Sequence, residues 1–244
     1  MTVSPRRTWW MRPCGAALAI LLVIAVSGCA LSQAEVGPEG TLEVFSPNAL
    51  GPQRSLPGDW VVEADGNGDA RRNIAVETAT GGTTLTLKTG APRFVMARRT
   101  KATLLASPYM GWSWRMTAQA GVTPDIRMII GFHGGNPESR STGEPLARLG
   151  TRLPAFDRAI SILWGKSALE RGSFSTATPI PEYIARGGAE HFEKWWTDNL
   201  DLADLYRKAW PNDRIERARI MFMGFAVGPE AGAEAQFGDI VLYR

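Results

Sequence analysis

The sequence predicts an all-β protein: an antiparallel, jelly-roll-type β-sandwich with one amphipathic helix near 199–210 covering an edge or an end. Three observations carry this. Short segments alternate apolar and polar residues, the period-two mark of a half-buried strand. Strongly apolar strands recur roughly every 20 residues with little helical pattern between them, which favours a sandwich over a doubly wound sheet. Gly, Pro, Asn and Asp stand between the segments, where turns are needed. At 244 residues and 44% hydrophobic content, the chain is long enough to pack one large core.

Taken in order, residues 1–28 have the organisation of an export signal. Arg6, Arg7 and Arg12 form a positive start, Gly15 to Val26 is apolar, and Val26-Ser27-Gly28-Cys29 closes the run. The apolar run is too short to span a bilayer as a helix. "VSGC" resembles the bacterial lipobox, which implies that Cys29 becomes an acylated (palmitate-bearing) amino terminus and anchors the protein to a membrane. Each buried methylene contributes about 0.8 kcal/mol, so two or three acyl chains suffice as an anchor. Ala30 follows Cys29 where an Asp would signal inner-membrane retention, which by resemblance implies the outer membrane with the body facing the periplasm. Arg6-Arg7-Thr8-Trp9-Trp10 also resembles a twin-arginine motif, so both the general and the twin-arginine routes stay open.

Residues 29–56 are rich in Gly, Pro, Ser and Glu and read as a lipidated N-terminus and flexible tether, with a short strand around Leu42 to Phe45. Residues 57–244 form the sandwich. "TTLTLKT" (83–89) alternates strictly, with "GDARRN" and "ETATGG" as flanking turns. "GWSWRMTAQ" places Met110, Trp112, Trp114 and Met116 on one face, and "DIRMIIGFHGG" does the same for Ile126, Met128, Ile130 and Phe132. "RAISILWG", "ARIMFMGFAVG" and "AQFGDIVLYR" are denser apolar strands. In "TDNLDLADLYRKAWP", Leu202, Leu205, Tyr206, Ala209 and Trp210 share a helical face, with Asp198 as cap and Pro211 as stop.

Charge and residue chemistry narrow the functions. The net charge of +3 resides in the three signal arginines; beyond residue 28 basic and acidic side chains balance at 24 each, so there is no electrostatic basis for a nucleic-acid partner. Cys14 leaves with the signal and Cys29 is lipidated, so the exported chain folds without disulfides. Only His133 and His191 exist, and there is no HExxH, no G-x-S-x-G elbow and no free thiol. Zinc hydrolysis, serine or cysteine catalysis, a resident metal and a cofactor all lack their residues.

The order "SPYMGWSWRM", "DIRMIIGF", "AISILWG", "DLADLYRKAWP" and "IMFMGFAVGPEAGAEAQFGDIVLYR" resembles the bacterial family known as domain of unknown function 3047, over about residues 57–244. That family implies a Trp-x-Trp strand, an acid and an arginine opening the next strand, and a closing Asp-Ile. The chain keeps Trp112 and Trp114, Asp125 and Arg127 at shorter spacing, Trp164, and Asp239-Ile240; it departs where "MGFAVG" replaces a polar, Asp-rich run. The layout is similar to galactose-binding-like jelly rolls of carbohydrate-binding modules.

The candidate ligand-binding residues are therefore Asp125 and Arg127, whose carboxylate and guanidinium suit sugar hydroxyls, and Trp112, Trp114 and Trp164, whose rings stack on sugars where exposed. A continuous apolar face in a sandwich is more often core than sugar platform, so the same tryptophans also suit a core, and Asp125 with Arg127 a solvated ion pair. The expected function is a cell-envelope lipoprotein with a non-catalytic ligand- or glycan-binding sandwich. The alternatives are a structural or protein-partner role, or a polysaccharide hydrolase or lyase using two carboxylates among Asp125, Asp157, Glu182, Glu190, Glu193 and Asp198.

Overall fold

The computed structural model describes residues 32–46, 57–66, 68–79, 82–138 and 152–244. The signal segment, Cys29 and residues 47–56 lie outside the described residues. Two sheets carry the fold. The larger runs β1 (Ala34–Glu35), β6 (Phe94–Thr103), β13 (Arg219–Val227), β8 (Ile126–His133), β9 (Arg158–Gly165), β11 (Glu182–Gly187), β10 (Phe174–Ser175), with β3 (Trp60–Ala64) also on β6. The smaller runs β12 (Trp196–Asp201), β7 (Tyr109–Ala118), β14 (Ala233–Tyr243), β5 (Gly82–Lys88), β4 (Ile74–Ala79), with β2 (Leu42–Phe45) also on β14. The described residues form an all-β sandwich with one α-helix.

Three details of the strands differ from the expectation. Two pairings are parallel, β1 with β6 and β9 with β11; the second arises because residues 166–181 cross back to begin β11 alongside β9. The expected strand at Leu42–Phe45 is present, but it and Ala34–Glu35 already belong to the sheets, so residues 34–45 are part of the sandwich rather than tether. "ETATGG" is strand through Ala79, its residues pairing with β5.

The inward rows of the two sheets make the core, with Phe94, Trp114, Phe132, Leu85, Leu87 and Phe237 fully buried. Trp114 packs edge-on to Trp164 at 5.2 Å between centroids and stacks on Phe237 at 6.1 Å. β6 escapes a simple hydrophobic pattern because Arg98 and Arg99 interrupt it. Both are satisfied in place: Arg98 Nε donates to Asp59 Oδ2 at 2.7 Å, and Arg99 donates to the carbonyls of Arg152 and Gly58.

At one edge the sandwich is closed by charge. Arg186 of β11 reaches from the large sheet to Asp198 of β12 in the small one, Nε to Oδ2 at 2.7 Å, and its guanidinium lies 4.0 Å over the Trp196 ring.

The helix, α1 (Leu202–Ala209), starts later than expected. Residues 196–201 stay extended because Asp198 and Leu200 alternate inward against exposed Thr197 and Asn199, and the segment completes a ladder on β7. The cap is consequently Asp201, whose Oδ1 accepts from the Asp204 N–H at 2.9 Å; Asp198 lies buried in the strand. Leu202, Ala203, Leu205 and Tyr206 are buried, and Tyr206 meets Phe132 at 5.2 Å, so α1 covers one end of β8. The "HGG" turn serves this packing, since a side chain at Gly135 would collide with the Tyr206 hydroxyl.

Tyr206 donates to Asp213 Oδ2 at 2.9 Å, and Arg158 holds the same carboxylate at 2.9 and 3.1 Å. Burial, then the hydrogen bond to Asp213, pushes the Tyr206 hydroxyl well above the ordinary tyrosine pKa. A group raised in the folded state contributes stability that is complete below the unfolded pKa and lost above it. Stability should therefore fall by up to about 1.4 kcal/mol per pH unit above about pH 10. In Tyr206→Phe this fall should be shallower, at a cost of about 1 kcal/mol at neutral pH for the lost hydrogen bond. Urea denaturation of both proteins at pH 8 and pH 11 checks this; parallel losses would contradict it.

Candidate functional site

The structure separates the five predicted ligand residues. Trp112, Trp114 and Trp164 have exposures of 2%, 0% and 2% and lie between the sheets, so no sugar reaches them from solvent. Their expected role as stacking platforms is corrected. Trp114 Nε1 donates to Asp198 Oδ2 at 2.9 Å and Trp164 Nε1 to the Gly188 carbonyl at 3.2 Å, the partnering a buried indole needs. Their flanking Met110 and Met116, both buried on the same row, carried this signal in the sequence.

Asp125 and Arg127 do come together, on the outward face of the large sheet where β8 begins. Arg127 donates from Nε and Nη2 to Asp125 Oδ1, at 3.1 and 2.8 Å. Its Nη1 donates to Glu182 Oε1 of β11 at 3.2 Å. Glu182 was recognised in the sequence only as one acid of a cluster, because 55 residues separate it from Arg127 and the β9–β11 pairing that joins them leaves no local pattern. The backbone prepares the site: Gly228 N donates to the Asp125 carbonyl at 2.8 Å, and any side chain at Gly228 would displace the Asp125 carboxylate.

All three groups are partly open, with side-chain exposures of 42% for Asp125, 40% for Arg127 and 30% for Glu182. Ion pairs this accessible contribute about 0–1 kcal/mol each, so folding gives little reason for the trio. Ser161 of β9 sits opposite Glu182 in the ladder; it is 2% exposed and its Oγ has no partner. A buried hydroxyl left unsatisfied costs stability unless something else fills its needs.

The other acids are placed elsewhere. Asp157 lies at the far end of β8 from Asp125, its buried carboxylate 3.2 Å from His133 Nδ1 and within reach of the Gly134 N–H. Eight strand residues put the two about 25 Å apart. Asp198 is occupied by Trp114, Arg186 and Arg171. Asp125 and Glu182 are neighbours, but the Arg127 guanidinium fills the space between them, where a two-carboxylate hydrolase would hold the scissile bond. His191 Nδ1 lies 2.9 Å from the Gly187 carbonyl and its ring packs on Trp196. Among the described residues no His, Cys, Asp and Glu group has the arrangement of a metal site.

Two aromatic residues that the sequence pattern did not single out are open to solvent, Tyr109 at 41% exposure and Trp195. Trp195, beside the inward Trp196, is 45% exposed. Two tryptophans in succession at the start of a strand must face opposite ways, and that was the available signal.

No family model matches the chain, and no curated protein does. Among solved structures it is similar to the family 30 carbohydrate-binding module of the cellulosomal cellulase Cel9D-Cel44B of Clostridium thermocellum, at 13% identity over 84% of this chain and 98% of that one, with a TM-score of 0.42. It is also similar to a family 12 xyloglucanase from Bacillus licheniformis, at 10% identity over 88% and 97%, TM-score 0.40. A third is the family 11 carbohydrate-binding module of Lic26A-Cel5E of Clostridium thermocellum, at 7% identity over 76% and 88%, TM-score 0.36.

Proposed function

We propose that the chain is a lipid-anchored envelope protein whose β-sandwich binds a glycan or another hydroxyl-rich envelope polymer without cleaving it. One observation carries the reading: Asp125, Arg127 and Glu182 form a half-exposed hydrogen-bonding trio beside the unpartnered Ser161 Oγ. Carboxylate and guanidinium together offer acceptors and donors to paired sugar hydroxyls, and a pre-paired trio binds without first having to be ordered. The same trio opposes catalysis, because Arg127 holds the place of a substrate between the acids. The reading rests on these residues, and the structural likenesses carry none of it.

The anchor is the acylated Cys29 of "VSGC", in the outer membrane with the sandwich on the periplasmic side. Membership in the domain of unknown function 3047 family, on Trp112-x-Trp114, Asp125, Arg127 and Asp239-Ile240, belongs to the same proposal. The test is electrophoresis of the full chain in gels cast with soluble polysaccharides. Retardation is expected in at least one gel and is expected to weaken about tenfold in Arg127→Gln, a loss of about 1.4 kcal/mol. Unchanged mobility in every gel would overturn the binding function. Labelled palmitate should enter the chain and fail to enter Cys29→Ala; equal labelling would overturn the anchor.

A further inference from the structure

The outward face of the small sheet carries a row of polar side chains that the fold does not use. The ladder sets Arg115 of β7, Gln236 of β14, Thr86 of β5 and Ala75 of β4 side by side. The adjoining row, Trp114, Phe237, Leu85 and Val76, packs into the core, so this row faces away from it. Carried back one residue from the Trp196–Trp114 pair, the β12–β7 register places Trp195 opposite Arg115. The Glu193 N–H donates to the Met116 carbonyl at 2.9 Å, which keeps the loop against β7 at that point.

Three features mark the row. Trp195 is the exposed tryptophan among the described residues. Arg115 is half-buried yet its side chain makes no hydrogen bond or ion pair, and its Nε is buried without a partner, as is Thr86 Oγ1. By contrast Arg98, Arg127, Arg158 and Arg186 are all paired with carboxylates. Glu193, which leads into Trp195, has φ 63°, the one positive value at a non-glycine among the described residues. Such a conformation persists where surrounding structure enforces it, and such residues concentrate at binding sites.

We propose that this face binds an acidic saccharide, with the sugar ring against Trp195 and the carboxylate in the fork of Arg115. The inference rests on the glycan-binding reading but uses a different face from Arg127. A guanidinium presents its donors in a plane that matches a carboxylate, whereas a neutral sugar leaves part of that fork unmet. On this side Lys88 pairs with Glu234 at 3.2 Å, and the exposed carboxylates of Glu77 and, at the β14 bulge, Asp239 stand outside this row. Arg115 is thus the uncompensated charge of the row. The Asp125–Arg127–Glu182 trio, with two carboxylates to one guanidinium, disfavours an acidic ligand.

Isothermal titration of the full chain with hexagalacturonate, and with cellohexaose as its neutral counterpart, tests this. The acidic hexamer is expected to bind about tenfold more tightly. Trp195→Ala and Arg115→Gln should each weaken it by a similar factor, with circular dichroism unchanged. If Arg115→Gln does not fold, Arg115→Lys replaces it, with a smaller loss because the bidentate pair becomes a point contact. Cellohexaose binding without hexagalacturonate binding, or a loss in Arg127→Gln alone, overturns this inference and leaves the glycan reading standing. Binding of neither hexamer overturns it as well, and together with unretarded migration in every polysaccharide gel it removes both.

Discussion

Replacing Asp198 by alanine is expected to destabilise the protein by about 3–5 kcal/mol, the usual cost of stranding one member of a buried ion pair. Arg186 and Asp198 are 7% and 6% exposed. Asp198 Oδ2 accepts from Arg186 Nε and from the Trp114 indole, and Oδ1 from Arg171 at 3.4 Å. Alanine leaves the Arg186 Nε and an indole N–H without an acceptor in the gap between two sheets, with only the 3.4 Å contact of Arg186 Nη2 to the Thr197 carbonyl remaining. Asp198→Asn keeps an acceptor and should lose less. Urea denaturation reads the effect as a lower midpoint at constant slope. A loss under about 1 kcal/mol would mean that water reaches Arg186 and that the edge is not closed by this pair.

Trp114→Ala is expected to cost a similar amount, about 3–5 kcal/mol, because it empties a large volume between Trp112, Trp164 and Phe237 and frees one acceptor of Asp198. Trp195→Ala removes a ring of the same size from the surface and should change stability by less than about 0.5 kcal/mol. The pair separates the two roles a tryptophan can take in a sandwich. Equal stability of the two variants would refute the core placement of Trp114.

That distinction marks the limit of what the sequence made legible. Period-two alternation located β5, β7 and β8, and a dense apolar run located β9, each to within two residues. Alternation also grouped Trp112 with Trp114, but a strand shows the same pattern whichever of its faces meets the second sheet. The β12–α1 boundary was misplaced because Asp198 and Asp201 are both good caps, and β7 pairing decides between them. β1, two residues long, and β6, interrupted by arginines, depend on partners far away in the chain. At the site, Asp125 and Arg127 were readable as neighbours on one strand, whereas their union with Glu182 depends on a parallel pairing that no local pattern announces. Trp195 belongs to a loop, where periodicity gives no direction until the register of β12 is known.

Binding by the sandwich is tested most directly by thermal denaturation of the full chain in the presence of neutral and acidic polysaccharides. A ligand at 100 times its dissociation constant adds about 2.7 kcal/mol to the folded state. The melting temperature is expected to rise by several degrees with at least one polymer, and an unchanged melting temperature across the whole set would contradict the binding function.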